Sequence, residues 1–168
     1  VGTLEPRKGH AQILRVFERL WANGVRANLV IVGKIGWDVE ALVSDLKRSR
    51  YFNQSLFWFE NLDDAALDKL YASATCLIAA SYAEGFGLPL IEAAQRKVNI
   101  IARDIPVFRE VGENNASYFD GKSDESVEAF MHEWLLSLEA GAVISSQGMK
   151  WNTWSKSASD LKHLLATH

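Results

Sequence analysis

With 168 residues, 48% of them hydrophobic and 23% charged, the chain has the size and apolar content of one well-buried globular domain and is short for two. A net charge of −3, with lysines and arginines scattered rather than clustered, gives no electrostatic footprint for nucleic acid. Nothing reads as a signal peptide, and no apolar run approaches the ~20 residues a membrane-spanning helix needs.

Strand-like and helix-like stretches alternate from the start. Val1 to Thr3 reads as a strand, and since the chain opens inside it without a methionine, an excised piece of a longer protein is expected. His10 to Asn23 sets Ile13, Leu14, Phe17, Leu20 and Trp21 on one helical face, with Gly24 as the stop. Ala27 to Val32 (ANLVIV) is a continuous apolar strand ending at Gly33. Val39 to Arg48 reads as helix, Leu56 to Phe59 as strand, Asp64 to Ser73 as helix and Thr75 to Ala80 as strand. A helix opening near Pro89 follows, then strands at Asn99 to Ala102 and Ala116 to Phe119. Apolar runs without polar alternation suit strands covered on both faces, which predicts an α/β fold with a parallel, Rossmann-like sheet flanked by helices. Cys76, the lone cysteine, falls in one of these strands and reads as a small core residue in a reducing compartment.

Ligands of such sheets bind beyond the carboxyl ends of the strands, and two segments fall there. The first is EGFGLPLIE, Glu84 to Glu92. Gly85 and Gly87 let the backbone turn and approach a ligand, while the amides around Phe86, Gly87 and Leu88 lead into a helix start, where N–H groups lack internal partners and attract phosphate. Pro89 fits the first helical position, since its missing N–H would be unpaired there anyway. Glu92, one turn in, can accept from a vicinal diol such as a ribose, and Glu84 from hydroxyls on whatever the phosphate carries. A purely structural turn has no need of an acid at both ends, and an exposed Phe86 between glycines is costly unless something packs on it. The second segment is VGTLEPRKGH, where Arg7 and Lys8 sit just before the first helix. Cations are disfavoured at a helix start, so the pair reads as a clamp for a diphosphate.

Together with LVIVG and IIARDIPVFREV, these segments resemble the retaining, nucleotide-sugar-dependent glycosyltransferases of family 4, two-domain enzymes of the B-type fold. The resemblance covers nearly the whole chain, through WNTWSKSASDLKHLL, which is similar to the family's closing helices. It implies that residues 1–168 are the C-terminal, donor-binding domain and that the N-terminal, acceptor-binding domain is absent from this chain.

Carried over residue by residue, the resemblance gives Glu84 the donor sugar's hydroxyls and Gly85 to Leu88 the sugar and diphosphate. It gives Glu92 the ribose and Lys8 the diphosphate charge. Many members have an arginine where this chain has Thr3, and Arg7 is the natural substitute. FENLDDAAL resembles the loop beside the nucleobase and places Leu62 and Asp64 there, although Asp63 or Asp64 equally suits a helix N-cap. Lys8 and Glu84 are the catalytic candidates.

The similarity of VGTLEPRKG to mannosyltransferases of bacterial surface-polysaccharide assembly points to GDP-mannose. The implied acceptor is a glycan or lipid-linked glycan, held by the missing domain, in the cytoplasm or at the inner face of the membrane. No Asp-x-Asp triplet occurs, and His10, His132, His163 and His168 lack ligand spacing, so neither metal nor cofactor is expected. Gly33 and Gly36 in VGKIG fall short of a dinucleotide fingerprint. Trp151 and Trp154, with nearby lysines, read as packing for a terminal helix, with peripheral membrane contact left open. Two alternatives stay open: a sugar-nucleotide 2-epimerase acting without an acceptor, and a non-catalytic relic serving as an interaction module.

Overall fold

The computed structural model describes residues 1–151 and 154–166. Five short strands, β1 (Leu29–Val32), β2 (Leu56–Phe59), β3 (Cys76–Ala79), β4 (Asn99–Arg103) and β5 (Ser117–Phe119), form two parallel groups, β1 with β2 and β3 with β4 and β5. Pairing is regular within each, with Leu29 opposite Leu56, Cys76 opposite Asn99 and Ile101 opposite Ser117. β1, β2 and β3 are apolar runs with no polar alternation and β4 has the apolar centre Ile100, Ile101 and Ala102, as befits strands covered on both faces, while β5 is the short Ser117–Phe119.

Helices supply the two outer layers. On one side α1 (His10–Ala22), α2 (Glu40–Arg48) and α6 (Asp124–Glu139) close a core that includes Leu14, Phe17, Leu20, Leu46, Ile101, Phe119 and Met131. The same core collects residues from both strand groups. On the other side α3 (Asp64–Ser73), α4 (Leu88–Gln95) and α5 (Pro106–Gly112) bury Tyr71, Leu90, Ala93, Ile100 and Phe108. A last helix, α7 (Trp154–Ala166), ends the described chain. The Trp154 side chain lies outside the described residues, while Trp151 is exposed. Among the described residues no helix is long and apolar enough to cross a membrane.

Three differences from the sequence reading have physical causes. Val1 to Thr3 is no strand: the chain there makes a single parallel bridge, Leu4 with Ile35, and hydrogen bonds from the Gly2 and Leu4 amides to the Val32 and Lys34 carbonyls, before a 3₁₀ turn at Pro6–Lys8. Two helices went unread, α5 and α6. The second has a clear start, a reciprocal cap in which the Ser123 hydroxyl accepts from the Ser126 amide and the Ser126 hydroxyl from the Ser123 amide. Finally, α4 begins at Leu88, one residue before Pro89.

Buried Arg103 on β4 ties the upper end of the fold together. It is 4% exposed and donates to the Ala80 carbonyl at 2.8 Å, the Gly121 carbonyl at 3.1 Å and Gln12 Oε1 at 2.6 Å, and it stacks against Tyr82. Burial pulls its pKa down, against the pull of Tyr82. The side chain thereby fixes the end of β3, the first turn of α1 and the segment after β5, the frame in which the candidate site is set.

Candidate functional site

Folding brings the two segments singled out in the sequence to the same end of the sheet. Gly9 caps α1 in the left-handed conformation (φ 72°), and a Cβ there would lie 2.2 Å from the Ala80 carbonyl oxygen, so only glycine lets the chain pass this close to the end of β3. The Tyr82 amide donates to the Arg7 carbonyl, which locks the segment before α1 onto the segment after β3.

That close approach sets Arg7 and Lys8 against Glu84. Lys8 Nζ lies 2.5 Å from Glu84 Oε1, the two side chains being 13% and 11% exposed. Arg7 reaches Glu84 Oε2 at 3.2 Å and Glu5 at 2.7 Å but is itself exposed. Ser81, fully covered, donates its hydroxyl to Glu84 Oε1 at 2.7 Å. Burial works against the Glu84 carboxylate, yet the bonds from Lys8 and Ser81 hold its pKa below the ordinary range. Glu84 is therefore ionised and anchored, and both cations are engaged by it rather than pointing into open solvent.

The glycine turn divides its work. Gly87 alone carries the left-handed conformation (φ 87°), with the Phe108 ring against its Cα. Gly85 has no positive φ, and a Cβ there would meet nothing within 4 Å, so its contribution is open space rather than a forced turn. Among the described residues none accepts from the amides of Phe86, Gly87 or Leu88. Beyond them the helix start offers less than the sequence suggested, because Pro89 has no N–H and the Leu90 amide is taken by the Gly87 carbonyl at 3.0 Å. Phe86 and Leu88 are 57% and 47% exposed, with apolar surface uncovered beside these free donors.

Glu92, half-buried on α4, accepts from the Tyr71 hydroxyl of α3 at 3.2 Å. Burial, then the Glu92 carboxylate, raises the Tyr71 pKa, so the phenol stays a donor. Arg96 stacks over Tyr71, donates to the Glu92 carbonyl and pairs with Asp68. The sequence reading missed Tyr71 and Ser81. Ser81 had a signal, as the first hydroxyl after an apolar strand, whereas Tyr71 sits 21 residues from its partner with nothing local to join them.

Asp63, not Asp64, caps α3, accepting from the Ala66 amide at 2.7 Å. Asp64 is exposed at the first helical position and Leu62 is half-buried. Among the described residues no hydrogen bond or ion pair joins either to the Lys8 and Glu84 cluster. Nor, among the described residues, does any group of three or more histidines, cysteines, aspartates and glutamates gather where it could hold a metal.

A family model described as "Glycosyl transferases group 1" matches residues 1–151. The serotype-specific mannosyltransferase WbdA of Escherichia coli is 49% identical over 158 residues, which is 94% of this chain. The chain spans 19% of that relative's length. The O-antigen chain mannosyltransferase RfbU of Salmonella typhimurium is 30% identical over 129 residues, covering 75% of this chain and 35% of the relative. Among solved structures, the C-terminal domain of a group 1 family glycosyl transferase (LpcC) from Francisella tularensis superposes with a TM-score of 0.72 at 18% identity, over 88% of this chain and 78% of that one. Anabaena HepE in complex with UDP gives a TM-score of 0.68 at 16% identity, over 86% of this chain and 41% of that one.

Proposed function

Because the chain belongs to the group 1 glycosyltransferases, we propose that it is the donor-binding domain of a retaining family 4 enzyme, holding a nucleoside-diphosphate sugar for transfer to a glycan or lipid-linked acceptor gripped by another domain. The observation that carries this reading is the pairing of Lys8 with Glu84 across 76 residues of sequence, beside a glycine turn whose amides at Phe86, Gly87 and Leu88 have no acceptor among the described residues. A cation, free amides and an anchored carboxylate around one opening match a diphosphate carrying a polyhydroxyl group.

The chemistry follows from charge. As the acceptor hydroxyl attacks the anomeric carbon, the bond from that carbon to the diphosphate oxygen breaks, negative charge collects on the departing phosphate, and the hydroxyl's proton passes to that phosphate on the same face. Lys8, Arg7 and the free amides stabilise that charge without a metal ion. Glu84 orients the sugar through its hydroxyls, and Glu92, steadied by Tyr71, takes the ribose diol. Retention corresponds to attack from the face the diphosphate leaves, and no side chain of this domain acts as nucleophile. Both E. coli WbdA and Salmonella RfbU are named mannosyltransferases. With Asp64 free to accept from the N1–H and N2–H₂ of guanine, GDP-mannose is the favoured donor. The setting that fits is O-antigen or related surface-polysaccharide synthesis on the cytoplasmic side of the membrane.

The two carboxylates separate in a binding assay. Glu92→Ala weakens binding of a free nucleoside diphosphate about 10-fold, the loss of charged hydrogen bonds to a diol. Glu84→Ala leaves that binding within about threefold, because Lys8 is released to the phosphate, but removes discrimination among sugars. Calorimetry with GDP and with GDP-sugars reads both, and equal losses of GDP binding in the two variants would contradict the assigned roles.

A further inference from the structure

Four side chains face one another between α3 and α4, behind the ribose end of the proposed donor site. Asp68 and Tyr71 are three residues apart on α3, and Glu92 and Arg96 are four apart along α4 and its cap, so each pair shares one helix face. Across the gap Asp68 meets Arg96, and Tyr71 meets Glu92.

A glutamate followed four residues later by an arginine is the spacing, and the order, at which the two pair along a helix. Here they do not. Arg96 donates through Nε to Asp68 Oδ1 at 2.9 Å and through Nη2 to the same oxygen. It stands 5.0 Å from the centre of the Tyr71 ring, and its Nη1 goes to the main-chain carbonyl of Glu92 at 3.0 Å. The fork is thereby engaged on every side. Among the described residues no ion pair reaches the Glu92 carboxylate, and the Tyr71 hydroxyl alone is hydrogen-bonded to it.

Tyr71 is built to hold that carboxylate still. It is 3% exposed and packs in the core with Leu90 and Ala93, so its ring has no room to swing. Burial, and after it the charge of Glu92, keep the proton on the phenol, which therefore always donates. It reaches Oε2 at 3.2 Å and leaves Oε1 open. A carboxylate offers about four acceptor positions, so one bond to a fixed hydroxyl sets its plane and still leaves room for two donors. Glutamate loses much rotamer freedom when it is immobilised, and a carboxylate already held by Tyr71 loses less of it on meeting a ligand.

We propose that Tyr71 and Asp68 are positioning residues for the donor's ribose. Asp68 keeps Arg96 off the Glu92 carboxylate, and Tyr71 fixes the plane of that carboxylate so that it accepts from two adjacent hydroxyls. This rests on the reading of Glu92 as the ribose acceptor. It also narrows the substrate class: sugars carried on a ribonucleoside diphosphate are taken in preference to those carried on a 2′-deoxyribonucleoside diphosphate, and the preference resides in the four-residue array rather than in Glu92 by itself.

Calorimetry with GDP and with 2′-deoxy-GDP, at low ionic strength, tests this on the chain and three variants. The parent binds GDP about fivefold more tightly than 2′-deoxy-GDP, the effect of one hydrogen bond. Tyr71→Phe keeps the ring and removes only the hydroxyl. It lowers the preference to about twofold or less and leaves 2′-deoxy-GDP binding within about twofold of the parent. Asp68→Ala, a change at an exposed residue, weakens GDP binding about twofold, because the released guanidinium turns to Glu92 with the strength of a helical ion pair. Adding Arg96→Gln to Asp68→Ala restores the parent's affinity. An unchanged preference in Tyr71→Phe, equal weakening of both nucleotides, or the same GDP affinity in Asp68→Ala and the double variant overturns the proposal while leaving the ribose on Glu92. A parent that binds GDP and 2′-deoxy-GDP equally overturns the assignment of the ribose to Glu92, and this inference with it.

Discussion

Lys8→Ala is expected to weaken binding of a nucleoside diphosphate by about 10- to 100-fold, the ~1.5–3 kcal/mol of a hydrogen bond to a charged group. The geometry makes this the most damaging change at the site for two reasons. Lys8 is the better covered of the two cations, at 13% side-chain exposure against 43% for Arg7, so its charge is less screened. It also balances Glu84, whose carboxylate Ser81 and Arg7 keep in place after the lysine is gone. The variant therefore loses an attraction for the phosphates and gains an uncompensated negative charge beside them. Arg7→Ala, at the exposed edge, costs distinctly less, and isothermal calorimetry with GDP ranks the two.

The second large effect concerns the frame. Arg103→Leu is expected to destabilise the fold by about 3 kcal/mol, within the range for removing one partner of a buried charged network, and to lower the unfolding midpoint by roughly 6–12 °C. Three acceptors lose a short hydrogen bond at once: the Ala80 carbonyl, the Gly121 carbonyl, left with Gln12 Nε2 at 3.3 Å, and Gln12 Oε1, left with the Tyr82 hydroxyl at 3.4 Å. Removing the charge from Arg15, which pairs with Asp124 across the α1 and α6 surface, has a much smaller effect because Arg15 is 55% exposed and Asp124 keeps the Arg19 cation at 4.0 Å. Calorimetric melts of the two variants make the comparison. A midpoint for Arg103→Leu within ~2 °C of the parent would show that the network is no structural tie.

Where the sequence was readable, the signal was local. The runs LVIV, LFWF, CLIA and NIIA are too short and too apolar for anything but covered strands, and the 3.6-residue spacing in His10 to Ala22 shows a helix face without any tertiary information. Helix α6 was equally readable in principle, since Ser123, Asp124 and Glu125 mark its start. Its apolar positions, Val127, Met131 and Trp134, follow at helical spacing.

The site divides in the same way. Glycine chemistry around Gly87 and the acids at either end of its turn are sequence features. That Glu84 holds both Arg7 and Lys8, that Tyr71 holds Glu92, and that Arg103 braces Ala80 are contacts between residues 21 to 77 positions apart, fixed only by how the layers pack. Local reading also overrated the helix start: which amides stay free depends on the Leu90 to Gly87 bond, a detail of turn geometry.

One measurement bears most directly on the account: calorimetric titration of this chain, its fold checked by circular dichroism, with GDP and with GMP, each with and without EDTA. The proposed roles set the Phe86 to Leu88 amides and the ammonium of Lys8 on the terminal phosphate, so GDP is expected to bind at least about 10-fold more tightly than GMP, and equally well when divalent ions are removed. Equal affinity for the two nucleotides, or loss of the GDP preference in EDTA, would contradict it.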